Sequence, residues 1–242
     1  MTNLKKLPFF FALLFLFSCD EFPLRLSDSE NAAGLKSALE VGAKYALKTL
    51  GKEDGFLLDQ AVKILLPPDA ANLIHIASTI PILKDAAKML EEKLILTINR
   101  AAEVAIDEVV PIVVDAITSM SIQDATAILF SKNDRAATHY LIEKTFEPLT
   151  DVCLSVIEDA LNKKIVLNTS AQDVWRELTG LYNGVANILP SIEPIETNLA
   201  LYSTQKALDG VFLKVGDEEV KIRTDVSARV NDLLKRVFGQ LD

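Results

Sequence analysis

Residues 81–110 read PILKDAAKMLEEKLILTINRAAEVAIDEVV, and their apolar positions recur at helical spacing. Leu83, Ala86, Ala87, Leu90, Leu94, Ile98, Ala101, Ala102, Ala105 and Val109 make one stripe. Such a stripe predicts an amphipathic helix that buries one face in a core. Pro111 then predicts a fresh helix opening at its first turn and running through Asp115-Ala116-Ile117 to Met120, because a proline is tolerated at a helix start, where its missing N–H is not needed. Working outward, the same period predicts helices over 31–50, 134–146, 148–164, 171–188, one or two over 197–222, and one over 227–238. Ser29 is the expected cap of the first and Gly51 its stop, Ser121 or Asp124 opens a short helix through Ala125, Ile128 and Leu129, and Gly239 closes the last. Val62 to Leu66 reads as a short apolar segment ended by Pro67-Pro68, since a residue before proline is pushed from the helical region. The alternating stretch from Val211 to Val215 is too short and isolated for a sheet.

Composition agrees with helices. Half of the 242 residues are hydrophobic, and Gly and Pro number nine each, too few for a turn-rich β fold. No 20- to 50-residue period repeats, so a solenoid is not indicated. The expectation is an all-α single domain of roughly eight to ten amphipathic helices.

The N-terminus carries an address. MTNLKK places Lys5 and Lys6 before an apolar run from Leu7 to Phe17, the charged and hydrophobic regions of an export signal. Such a run reaches about 16 Å as a helix, against a hydrocarbon core of roughly 30 Å, so a permanent membrane span is the weaker reading. Leu16-Phe17-Ser18-Cys19 resembles the lipobox of bacterial lipoproteins, with a small residue before the cysteine and only the bulky Phe17 atypical. The chemistry needs the thiol of Cys19, whose thiolate attacks a diacylglyceryl donor to form a thioether, and the small Ser18 gives the peptidase access to the bond. The chain therefore divides into a signal peptide at 1–18, a lipidated tether at 19–30 and a helical domain at 31–242. Asp20 and Glu21 fit either inner-membrane retention or surface export, and the outer membrane is favoured.

Removing the signal takes away Lys5 and Lys6, leaving 23 bases against 34 acids, a difference of −11. That balance repels phosphate backbones, and the modest cluster Arg223, Arg229, Lys235 and Arg236 does not reverse it, so nucleic acid is set aside. With Cys19 acylated, Cys153 has no partner within the chain. Its apolar neighbours Val152 and Leu154 mark a buried thiol rather than a nucleophile. Trp175, at helical spacing with Leu178, Leu181 and Tyr182, reads as core rather than as a ligand platform.

In order and spacing these segments resemble a bacterial family known as domain of unknown function 4197. The resemblance runs from Gly34-Leu35 to the stretch Leu233 to Gly239. It rests on Asn99 to Glu103 (NRAAE), Asp115-Ala116-Ile117 with Met120, Asp124-Ala125, Ile128-Leu129, Ala136-Ala137-Thr138 with Tyr140 and Thr145, Lys206 to Gly210 (KALDG) with Phe212, and Ile222-Arg223. Leu65 and Val226 stand where the family often has proline. The resemblance implies an exported helical protein, often a lipoprotein, and it supplies no reaction and no functional residue.

One polar cluster stands out. Arg100 lies in an apolar setting with Glu103 three residues on, and Asn99 and Glu103 are four apart, so all three share a helix face. Two readings are open. In one, Arg100 orients an anion and Glu103 is a general base, joined by Asp115, Asp124 or Arg223 from other helices, as an unconventional hydrolase would need. In the other, the group is a buried charge network fixing helix register. His75 and His139 lie 64 positions apart, without the spacing of a histidine metal site, and neither a metal nor a cofactor is expected. No Gly-x-Ser-x-Gly elbow, Gly-x-Gly-x-x-Gly loop or phosphate-cradling Gly-Lys-Ser/Thr motif occurs. The sequence thus predicts a non-catalytic protein held to a membrane by the lipid on Cys19 and binding an envelope partner. A carrier of an apolar ligand, enclosed between helices, is the alternative. Oligomeric state is not legible.

Overall fold

A computed structural model describes residues 26–166, 169–188 and 193–242. The export signal, Cys19 and most of the tether fall outside the described residues. Eight α-helices follow among those described: α1 (Asp28–Leu50), α2 (Pro68–Ser78), α3 (Lys84–Ser119), α4 (Ile122–Leu129), α5 (Ala136–Asn162), α6 (Ala171–Ala186), α7 (Leu199–Thr224) and α8 (Asp232–Phe238). A two-stranded antiparallel ribbon, β1 (Lys164–Val166) and β2 (Thr169–Ser170), links α5 to α6, and a single 3₁₀ turn (Val226–Ala228) links α7 to α8. The fold is all-α.

α1 starts three residues inside the stretch expected to be tether. Ser27, not Ser29, is the cap, because its hydroxyl accepts from the Glu30 amide while Glu30 reaches back to the Ser27 amide at 2.9 Å. This reciprocal capping box satisfies two amides that the first turn would otherwise leave unpaired. Gly51 closes α1 as expected, and Ser121 and Gly239 hold their expected capping positions on α4 and α8.

The two long helices correct the expectation about proline. Pro111 lies inside α3 and Pro148 inside α5, so two pairs of expected helices are each one continuous helix. A proline here removes the N–H that would meet the carbonyl four residues back, on Asp107 and Lys144 respectively. Pro111, Pro148, Asp107 and Lys144 are all exposed, so water can take over the freed carbonyls. The apolar stripe meanwhile runs on past each proline, through Val109, Val113 and Ile117 on α3 and through Leu141, Leu149 and Cys153 on α5. Burial of that stripe outweighs one lost bond on the wet face.

α3 and α5 pack along each other, α7 lies against α5 and α1, and α4 and α8 close the end of α1. Phe146 of α5 and Phe212 of α7 stack at 6.4 Å between centroids. The approach of α8 to α1 requires a glycine, since a Cβ at Gly34 would stand 2.4 Å from Val237 Cγ2. Cys153 and Trp175 are buried in the core as expected. The stripe of α3 is not buried over its whole length. Leu83 and Ala86 are exposed and Leu90 is half-buried, because there the helix is paired with α2 as a hairpin that covers one side of it only.

Between α1 and α2, residues 51–67 form turns and an irregular stretch, and the apolar segment Val62–Leu66 ends at Pro67-Pro68 as expected. Asp54 has φ 67°, and Gly55 leaves no room for a side chain, as a Cβ there would lie 2.4 Å from the Leu50 carbonyl oxygen. Phe56, Val62 and Ile64 nevertheless reach the core. An irregular segment with buried apolar side chains needs something to pair its backbone.

Candidate functional site

Asn99, Arg100 and Glu103 supply that pairing. Asn99 is fully buried on α3. Its Oδ1 accepts from the Ile64 amide at 2.9 Å and its Nδ2 donates to the Ile64 carbonyl at 2.8 Å, so one side chain imitates a strand partner. The same Nδ2 also donates to the Ile95 carbonyl at 2.7 Å. One turn on, Glu103 accepts the Phe56 amide on Oε1 at 3.2 Å and Arg100 on Oε2 at 2.6 Å. Arg100 extends from there to Asp54 at 2.7 Å and Glu53 at 3.2 Å. Glu103 first and Asp54 second push the Arg100 guanidinium further up from its ordinary value, holding it charged.

This arrangement overturns the general-base reading of Glu103. A base needs a carboxylate oxygen open to a proton it can abstract. Glu103 is 5% exposed, and both of its oxygens are engaged by groups of the chain. Arg100 is one-third exposed but is shared among three carboxylates. The structural alternative, a charge network fixing register, describes the group, except that it fixes a loop rather than a neighbouring helix.

The residues expected to join it do not. Asp115 is exposed on α3, on the rim of a depression of about 480 Å³ with Pro111, Tyr140, Lys144 and Pro148. Asp124 is exposed at the start of α4, bonded to the Ser121 hydroxyl at 2.8 Å. Arg223 belongs to a second cluster altogether. Its Nη1 and Nη2 donate to the carbonyls of Leu129 and Ile128 at 3.1 and 2.9 Å, and its Nε to Glu219 at 3.1 Å. Glu219 in turn accepts from the amides of Ala137 and Thr138 at 3.0 and 2.8 Å and from the Thr138 hydroxyl. The cation thus sits at the C-terminal end of α4 and the anion at the N-terminal end of α5, each at the helix end whose dipole favours it. Arg229, also buried, donates to the carbonyls of Ile222 and Arg223 at the end of α7 and pairs with Asp242 at 2.7 Å.

Glu219, Arg229, Glu53 and Asp54 were not among the expected residues. Glu219 carried a signal. It precedes Arg223 by four residues on a helix rich in buried apolar positions, the pattern that singled out Arg100 and Glu103. Arg229 carried none, since two of its partners are main-chain carbonyls and the third, Asp242, lies beyond α8 with no helical spacing to it.

Four depressions among the described residues, of about 640, 480, 470 and 310 Å³, are open to solvent and carry polar or charged groups on their rims. None of them has the enclosed apolar form that a carrier would use. Among the described residues no three His, Cys, Asp or Glu side chains converge as metal ligands, and no helix is long and apolar enough to cross a membrane. His139 bonds through Nδ1 to Asn133 at 3.0 Å.

The profile of a family described as Protein of unknown function (DUF4197) matches residues 25–239. The chain belongs to this family. The match begins two residues before the α1 cap and ends on the α8 cap, so in this DUF4197 member it takes in all eight helices. No curated protein and no solved structure matches the chain. Asn99, Glu103 and Arg223, among the residues that carry the resemblance, are in this DUF4197 chain also among those that pair main-chain groups across elements.

Proposed function

We propose that the chain is an exported lipoprotein whose helical domain is held at a bacterial membrane, the outer one favoured, by acyl groups on Cys19. In this reading the domain acts there as a non-catalytic binding or structural component. The observation that carries the reading is the order of signals in the first 27 residues: two lysines, an apolar run, Leu-Phe-Ser-Cys, and then a capped helix opening at Ser27. Cys19 and Ser27 are eight positions apart, so at most about 28 Å of chain separates the lipid from the first helix. Two or more acyl chains on one residue suffice for stable anchoring. A non-catalytic role is supported by where the domain's inward polar groups are committed. Asn99, Glu103, Glu219, Arg223 and Arg229 bind main-chain amides and carbonyls, which fixes the shape of the surface and leaves recognition to the outside.

Mass spectrometry of the protein extracted from membranes tests the anchor. An acylated cysteine at residue 19 as the mature N-terminus is expected, and Cys19→Ala should abolish incorporation of a labelled fatty acid and leave an unprocessed precursor. An unmodified Cys19, or a mature start elsewhere, would sink the proposal. The binding role is tested by cross-linking and affinity capture from detergent extracts. A specific envelope partner is expected, and its absence would count against this part of the reading.

A further inference from the structure

The hairpin of α2 and the start of α3 ends in an apolar tip. Ile76, Ile80, Pro81, Ile82, Leu83 and Met89 are all exposed on it, Ile82 to 88%. The inner side of the hairpin is separately filled, with Ile74 and Ala87 buried and Leu73, Ala77 and Leu90 packed against the core. The tip is therefore not a core face left uncovered by local misfit. Part of its backbone is paired internally. The amides of Thr79, Ile80, Leu83 and Lys84 bond to carbonyls within the turn at 2.9–3.1 Å, and Pro81 has no amide. The hydroxyls of Ser78 and Thr79 turn back onto the carbonyls of His75 and Ile76 at 2.6 and 2.7 Å. Such pairing lowers the cost of moving the turn into an apolar medium, where unpaired groups are expensive.

We propose that this tip inserts into the interfacial region of the same bilayer that holds the lipid on Cys19, giving the domain a second point of attachment. Two observations favour a bilayer over a protein. Stable protein interfaces use roughly 20–30 residues a side, and six side chains around one turn fall well short of that. The local charge also fits. Within the tip itself, residues 76–89, Lys84 and Lys88 stand against Asp85, a net +1, while Asp69, Glu91 and Glu92 lie further from the turn, so the tip alone is spared the repulsion that anionic headgroups exert on an acidic surface. The geometry allows both attachments at once. Lys36 of α1 meets the Thr118 carbonyl near the far end of α3, and the helix from there to Lys84 is about 51 Å long. With a tether of at most about 28 Å, α3 can lie along the membrane, lipid at one end and tip at the other. This inference rests on the lipoprotein reading.

The test uses the lipidated protein purified from membranes, carrying Ile82→Cys labelled with an environment-sensitive fluorophore. Acylation of Cys19 and burial of Cys153 leave the new thiol as the one that reacts. The protein is incorporated into phosphatidylcholine–phosphatidylglycerol vesicles containing lipids that bear a quencher on the acyl chain. Blue-shifted emission, quenching by those lipids, and loss of both on adding Ile80→Asp with helicity retained are expected. Flotation with vesicles but no quenching overturns the tip while leaving the anchor. Quenching without stable flotation supports the tip and overturns the anchor. Neither flotation nor quenching overturns both. A blue shift that grows with protein concentration in detergent alone assigns the tip to a second copy of the chain and overturns the proposal.

Discussion

Glu219 and Arg223 are one turn apart on α7, each under 5% exposed, and between them they hold the end of one helix and the start of another. A buried ion pair is weak support for stability as a pair, but removing one partner leaves the other charged and dry. Arg223→Met also strips the Ile128 and Leu129 carbonyls of their donors. It should cost about 3–5 kcal/mol, read as a lower urea midpoint in circular dichroism, and a loss under 1 kcal/mol would show that water takes the arginine's place. Cys153 makes a complementary case. Burial, with a smaller contribution from Glu108, pushes its thiol up to about 11. At pH 8 the folded protein then holds about one thiolate per thousand molecules, so a thiol-specific disulfide reagent should fail until denaturant is added. Rapid labelling of the native protein would mean that the site opens locally. Burial of Cys153 was legible from its apolar neighbours. The reach of Arg223 was not, because its partners are carbonyls on a helix 94 positions away, and no side-chain pattern marks a carbonyl.

The segment 51–67 and the two interior prolines show where local rules lose to packing. Periodicity found α3 because ten apolar positions agree over thirty residues. The same rule broke that helix at Pro111, since spacing alone does not tell a proline facing water from one facing the core. In 51–67 the apolar run from Val62 to Leu66 marked a buried segment without fixing its backbone, and the amide and carbonyl of Ile64 are paired by Asn99 from another element. That dependence can be measured. Asn99→Ala removes both partners of Ile64 and leaves buried groups unpaired, at about 1–3 kcal/mol for each. The damage should stay local before it becomes global. Trypsin should cut after Lys52 or Lys63 at denaturant concentrations where the helical signal is unchanged. Resistance equal to that of the native chain would mean that Phe56 and Ile64 hold the segment through their side chains alone.

At the scale of the molecule, several ties between distant parts depend on carboxylates held below the usual range. Glu30 is lowered by its bonds to Ser27 and, from α8, to Arg236, and Asp59 by Lys214 of α7. Asp225 is lowered by Ser227 at the foot of α7, and Asp242 by the buried Arg229. A group whose folded value is depressed contributes stability above its unfolded value, near 4, and loses it as pH falls through the folded one. Net charge acts in the opposite direction. The chain carries −9 at pH 7, so mild acidification first relieves repulsion before it breaks these pairs. The midpoint of thermal unfolding should therefore rise slightly from pH 7 towards about 5 and then fall below about 4 as the four carboxylates protonate. Salt separates the two effects. At 1 M the Debye length is about 3 Å, which removes diffuse repulsion and flattens the rise, while the short Arg229–Asp242 and Lys214–Asp59 pairs persist and the acid limb remains. An acid limb that vanished in salt would transfer the pH dependence from these pairs to net charge alone.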